Sequence, residues 1–172
     1  MAIGDRVKEC IDKAKIGDFE NALIQLSIAF DGTAKKEYPK INGGQRFKIF
    51  LQENQDIITY FTFATNMFID CSFDGYKLED IIYHVLRCGL LHEGSIPDEI
   101  EFVDEIIIGR PGGRWRFPKT YVMGGLLAVI GAKSNAKERV PPQYAVVIMG
   151  KPYQVNDLWG RGDEIRQIMA SA

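Results

Sequence analysis

Two side chains a few positions apart carry chemistry: Arg87 and His92, in the stretch Tyr83-His84-Val85-Leu86-Arg87-Cys88-Gly89-Leu90-Leu91-His92-Glu93-Gly94. A guanidinium holds a phosphate through two parallel hydrogen bonds and neutralises charge developing on it. An imidazole titrates near neutrality and moves a proton on or off an oxygen. Together they supply what metal-independent RNA cleavage needs. The 2′-hydroxyl of the RNA attacks, a base takes its proton, and a cation steadies the phosphorane. The chain has 2 histidines, and the other, His84, falls in the same window.

Helical geometry constrains the pair. On a straight helix residues 87 and 92 point about 140° apart. Either the arginine reaches round, the helix loosens near Gly89, or two copies of the helix meet across a two-fold axis and build a shared groove. A purely structural reading is also available. Arg87 would pair with Glu79 or Asp80 on the surface, and His92 would sit at a helix C-terminus, where the dipole favours a cation. His84, Cys88 and His92 recur at i, i+4 and i+8 with zinc-ligand chemistry. The outer two are about 12 Å apart along the axis, too far to share one ion, so a site would need two of them plus a residue elsewhere, such as Cys71. Structural zinc usually shows closely spaced ligand pairs, and no metal is expected. His84 reads as a packed or interface histidine whose i,i+3 relation to Arg87 leaves it a supporting role.

A second basic group joins Arg110, Arg114 and Arg116 to the aromatic Trp115. Charge for phosphate plus a ring for stacking is the combination that single-stranded RNA binding uses. The simpler reading packs Trp115 inward and leaves the arginines to solvate a turn. Lys35, Lys36, Lys40, Arg46 and Lys48 read as a solvated loop and helix start. Asp98, Glu99, Glu101, Asp104 and Glu105 alternate with apolar residues and fit the solvent face of a strand better than a metal site. No phosphate-cradling glycine loop, nucleophile elbow or zinc-protease motif is present, and no cofactor is expected.

These groups need elements to position them. Val7, Cys10, Ile11 and Ala14 recur at helical spacing; Asp18 reads as the N-cap of a second helix with Phe19, Ala22, Leu23, Leu26, Ala29 and Phe30 on its apolar side. Tyr38 to Gly44 is a breaker. A long helix follows, carrying Phe47, Phe50, Leu51, Ile57, Ile58, Phe61, Thr65 and Phe68. After punctuation at Asp74-Gly75, Leu78, Ile81, Ile82, Val85 and Gly89 mark the helix that bears Arg87, ending near Glu93-Gly94 before Pro97. Ile100 to Ile108 alternates as a strand. Arg110 to Arg114 reads as a turn with Gly112 at positive φ, returning through Arg114 to Phe117. Residues 120–132 are helical again, with Gly124, Ala128 and Gly131 on a side where another backbone could approach. Tyr144 to Met149 and Tyr153 to Val155 form a hairpin through Gly150-Lys151, and Asp163 reads as the N-cap of a closing helix. The fold expected is α+β: a mainly helical antiparallel bundle with one or two β-hairpins in the C-terminal half. Residues 1–95 form the bundle core, and residues 96–172 complete the same domain.

Composition bounds the partners. With 172 residues, 46% hydrophobic and 26% charged, the chain is an ordinary globular protein and not a disordered or collagen-like one. A net charge of −2 gives no chain-wide field to attract nucleic acid, so any such binding comes from a local patch. Three cysteines, Cys10, Cys71 and Cys88, are odd in number and far apart, which suits a reducing compartment. The N-terminus carries charges every few residues and no apolar core of a signal peptide. No apolar run approaches the roughly 18 residues of a membrane span. A cytoplasmic protein without membrane partners is expected.

The Arg-x4-His pattern resembles the signature of HEPN-domain proteins, small helical bundles many of which are endoribonucleases in toxin–antitoxin, abortive-infection and CRISPR-linked systems. The stretch ending Leu90-Leu91-His92-Glu93-Gly94 is similar to the family's Arg-Asn-x-x-x-His-x-Gly helix, with Cys88 where Asn, Asp or His is usual. Ala22 to Asp31 and Arg46 to Leu51 are similar to flanking helices of bacterial members, so the resemblance covers roughly residues 1–95. It implies a homodimer with Arg87 and His92 as the catalytic pair, cutting RNA without metal to a 2′,3′-cyclic phosphate and a 5′-hydroxyl. It equally implies a second class: non-catalytic modules that bind a nucleotide or assemble with an antitoxin or a nucleotidyltransferase-type partner.

Overall fold

A computed structural model describes residues 2–64, 72–73, 75–84 and 100–171. Arg87, Cys88 and His92 lie outside the described residues, as do Thr65, Phe68, Cys71, Asp74, Asp98, Glu99 and the remainder of the expected helix over residues 85–94. Helix α1 (Ile3–Lys15) turns Val7, Cys10 and Ile11 inward, as their spacing predicts. Asp18 caps α2 (Phe19–Glu37) by accepting the Asn21 N–H at 3.2 Å. That helix buries Ala22, Leu23, Leu26, Ala29 and Phe30.

The breaker is shorter than expected. Asn42 accepts the Gln45 N–H at 3.0 Å and starts α3 (Gly43–Glu53), so both glycines belong to the first helical turn. The long helix expected next is two helices, α3 and α4 (Gln55–Phe63). Asn54 divides them at φ −109° and ψ 13°, its side-chain Nδ2 donating to the Phe50 carbonyl at 2.9 Å. A short amide side chain of this kind competes with the helix ladder for backbone acceptors. β1 (Ser72–Phe73) and β2 (Tyr76–Lys77) pair antiparallel around Gly75 at φ +81°. α5 (Leu78–Ile82) then buries Leu78, Ile81 and Ile82.

The strand at residue 100 does not form the antiparallel hairpin that its pattern suggested. β3 (Ile100–Val103) and β4 (Trp115–Pro118) run parallel, from Ile100 opposite Trp115 to Val103 opposite Pro118. The alternation stops at Val103, and Ile106 and Ile107 face solvent. The connection is then long enough to cross over, which parallel pairing requires. One antiparallel bridge, Gly109 to Arg116, survives beside the turn. That turn itself forms as read, with Gly112 at φ +68° and the Gly113 N–H donating to the Arg110 carbonyl at 3.3 Å.

Helix α6 (Thr120–Gly131) is buried at every position from Gly124 to Gly131 and packs against α2 and α4. Its small residues are where backbones meet: a Cβ on Gly124 would lie 2.4 Å from the Ile58 carbonyl oxygen. β5 (Ala145–Ile148) and β6 (Lys151–Gln154) form the expected antiparallel hairpin, turning through Met149 at φ +51° and Gly150 at φ +77°. α7 (Val155–Leu158) follows, then α8 (Gly162–Ala170), where a Cα at Gly162 stands 2.9 Å from the position of a Cβ on Gly131. Asp163 lies in the first turn of α8 and Arg161 is the N-cap, so Asp163 favours the helix through its charge near the dipole and not through a cap hydrogen bond. One hydrophobic core draws on both halves, joining Val7, Phe30, Phe50 and Ile58 to Leu127, Val146 and Ile165. The fold is therefore α+β and mainly helical. No helix among the described residues is long and apolar enough to cross a membrane.

The hairpin β5–β6 is tied to α1 by a buried phenol. Tyr144 donates to Asp12 Oδ1 at 2.7 Å, and Lys8 Nζ donates to Asp12 Oδ2 at 2.9 Å. Partial burial pushes the Asp12 carboxyl up, but the hydrogen bonds from Tyr144 and Lys8 outweigh it and hold the group below its ordinary value.

Two predictions follow from this packing. Gly124→Ala forces α6 away from α4 and should lower unfolding free energy by about 1–3 kcal/mol, measured by urea denaturation. Gly109→Ala, whose Cβ would meet only Pro111 at 3.8 Å, should cost far less. Because the folded pKa of Asp12 is depressed, its contribution is present above the unfolded carboxylate pKa and lost as pH falls through the folded value. Tyr144→Phe should therefore cost about 1 kcal/mol at pH 7, with the difference from wild type shrinking in urea melts at pH 3.

Candidate functional site

The described approach to the Arg87–His92 stretch is α5 and the two residues after it. Leu78, Ile81 and Ile82 pin α5 into the core. Tyr83 lays its ring edge-on to Phe47, with centroids 6.1 Å apart, and its hydroxyl stands 2.7 Å from where a Cβ on Gly44 would be. The missing side chain at Gly44 is thus what admits the ring. Lys48 closes over the other side, its ammonium 4.9 Å from the Tyr83 centroid and 2.6 Å from Asp80 Oδ1. Asp80, one of the two surface partners the structural reading offered Arg87, is engaged by Lys48. His84 is exposed and not packed in the core; its ring meets Tyr83 edge-on at 5.9 Å. Arg87, Cys88 and His92 themselves are not among the described residues.

The second basic group resolves into parts. Trp115 is 5% exposed and packs edge-on against Tyr76 with centroids 6.1 Å apart. Its ring is therefore core, and it offers no open stacking platform. Arg110 lies with its guanidinium 5.8 Å from the Trp115 centroid, and its Nε donates to the Gly113 carbonyl at 2.9 Å. Arg116 pairs with Glu101 at 3.1 Å, and Arg114 is exposed. The three arginines reach the surface around a buried indole. Glu101 and Asp104 are exposed, Asp104 pairing with Lys119 at 2.7 Å, as the solvent-face reading has it. In the lysine-rich cluster Lys36 pairs with Glu138 at 2.6 Å and Arg46 with Asp31 at 3.6 Å. Among the described residues no group of His, Cys, Asp and Glu is arranged to hold a metal. Cys10 is buried, and burial pushes its thiol far up, away from reactivity.

Sequence reasoning missed a small, mostly apolar cavity of about 10 Å³ beneath α5. Gln55, Tyr121 and Glu79 share it with Leu51, Ile58, Leu78 and Ile82. Among the described residues the Gln55 amide and the Tyr121 hydroxyl, 4% and 1% exposed, find no protein partner. Leaving such groups without any partner would cost about 1–3 kcal/mol each. Burial alone pushes the Tyr121 phenol up, keeping it neutral and available as a donor. Gln55 follows Asn54 in a polar run, and its pattern resembles a surface helix start; only the packing of α6 over α4 turns it inward.

The family model Rv1289 matches residues 2–172. Rv1289 of Mycobacterium tuberculosis and Mb1320 of Mycobacterium bovis, both described as uncharacterized proteins, are each 23% identical over 185 aligned residues. Those alignments cover 98% of this chain and 88% of each relative. No solved structure matches the chain. The similarity runs through the helical first half and the hairpins and helices of the second alike, and the chain belongs to the Rv1289 family.

Proposed function

We propose that the chain is a metal-independent endoribonuclease of HEPN type, with Arg87 and His92 as its catalytic pair. The spacing Arg87-x4-His92 is the observation that carries this reading. His92 takes the proton from the RNA 2′-hydroxyl as that oxygen attacks phosphorus, and returns a proton to the departing 5′-oxygen. Arg87 binds the non-bridging oxygens and offsets the charge of the phosphorane. The products are a 2′,3′-cyclic phosphate and a 5′-hydroxyl, so atoms balance without metal or added water.

The angular offset of the two residues on one helix favours a homodimer, in which one subunit's arginine faces its partner's histidine. His84 and the surface arginines Arg110, Arg114 and Arg116 supply further phosphate contacts. A cytoplasmic toxin or phage-defence role suits such an activity. One observation favours a second reading: Cys88 stands where HEPN-domain proteins usually have Asn, Asp or His. A non-catalytic module assembling with an antitoxin or a nucleotidyltransferase-type partner would tolerate it.

Cleavage of a mixed-sequence RNA in EDTA tests this directly. Wild type should cut, and a folded Arg87→Ala/His92→Ala protein should be slower by about 10²- to 10⁴-fold. Equal cleavage by both proteins removes the proposed site. Absence of cleavage by either turns the assignment to the interaction module.

A further inference from the structure

Between α1, α6 and β5 runs an open groove of about 340 Å³, within the size range of small-molecule sites. Ile11, Ala14, Phe19, Val122, Met123 and Leu126 form its walls, with Val147, 60% exposed, on the strand side. The charged residues lining it are both lysines, Lys15 and Lys119. Lys15 makes no ion pair among the described residues, and its ammonium lies 5.0 Å from the Tyr144 ring centroid. Its nearest acidic neighbour, Asp12, is already engaged by Lys8 and Tyr144. Lys119 lies 5.6 Å from the Phe19 ring centroid and, among the described residues, pairs with Asp104, whose side chain is 86% exposed, a pair weak enough to yield to a drier partner.

An aliphatic trough with two lysines on its rim, and no acidic residue among the described residues that line it, has a definite chemical complement. We propose that this groove binds a single-chain amphiphile with a carboxylate head, its hydrocarbon lying along Ile11, Val122, Leu126 and Val147 and its carboxylate meeting Lys15 and Lys119. Met123, unbranched and polarizable, lets the wall adapt to chain length. The site contains neither Arg87 nor His92, so it stands or falls apart from the nuclease reading.

The probe is sodium decanoate, kept below its micelle concentration and titrated into the full chain labelled at Ile, Leu and Val methyls. Saturable shifts confined to Ile11, Val122, Leu126 and Val147 are expected. Decanoate should bind more tightly than octanoate, by up to about fourfold for each methylene buried. Decyltrimethylammonium should bind at least tenfold more weakly than decanoate, as should decanoate to Lys15→Met/Lys119→Met. Should that variant fail to fold, the comparison of anionic with cationic amphiphile decides alone. The proposal is overturned by absence of saturable shifts, by equal binding of the two headgroups, or by equal binding to the folded lysine variant. It is also overturned if the same methyls shift with protein concentration alone, which would make the groove a contact between copies. Co-flotation with anionic vesicles without binding of monomeric decanoate would contradict it too, assigning the face to a membrane surface.

Discussion

The contact on which the rest of this molecule depends is the backbone approach of α6 to α4 and α8. It requires glycine at both points: at Gly124 a single methyl would overlap the Ile58 carbonyl, and at Gly131 it would overlap Gly162. Because α6 is enclosed nearly all round, its sequence is apolar on every side instead of striped. The second half of the chain thus supplies the helix that the first half packs around. α4 owes its inward face to α6, and α5 in turn rests on residues of α3, α4 and α6 that surround Gln55 and Tyr121. The helix expected to carry Arg87 begins on that footing. Family similarity across residues 2–172 agrees with this dependence.

Where local physics decides, the residues announced the structure. Apolar spacing placed α1 and α2, Asp18 marked a cap, and Gly150 marked a tight hairpin turn. The small residues of α6 predicted a close backbone neighbour, which proved to be two. Where distant packing decides, the pattern misled. The alternation from Ile100 reads on through Ile106 to Ile108, yet the chain leaves the sheet at Val103 and returns parallel, with Trp115 and Phe117 of β4 in the core. Asn54 interrupts a helix whose apolar positions run straight through it. The Asp12–Tyr144 bond joins residues 132 positions apart, and neither residue signals the other. Asp74-Gly75 did carry a hairpin signal that the period of its flanks, only two residues each, was too short to confirm.

For the candidate site, charge and burial divide what spacing had joined. Arg110, Arg114, Trp115 and Arg116 have the residue types of an RNA-binding group, but the indole packs inward, as the simpler reading of the sequence has it, and the cations are what is left to face a phosphate backbone. Such contacts would hold RNA without regard to base and would weaken with salt. Of the cationic cluster in the first half, Lys36 pairs with Glu138 and Lys48 with Asp80, with Arg46 set against Asp31. If the proposed nuclease reading holds, discrimination among RNAs would rest with Arg87 and His92.

The claim at the centre of this account is that Arg87 and His92 act on the same phosphate. With 2 histidines in the chain, the imidazole Cε1–H region of a proton spectrum holds two signals, assigned by a His84→Gln variant. A 2′-deoxy-substituted RNA that cannot be cut should raise the apparent pKa of His92, since a bound phosphate favours the imidazolium. That shift should vanish in folded Arg87→Ala. Identical titration of His92 with and without the oligonucleotide, or a shift that persists without the arginine, would contradict the shared site.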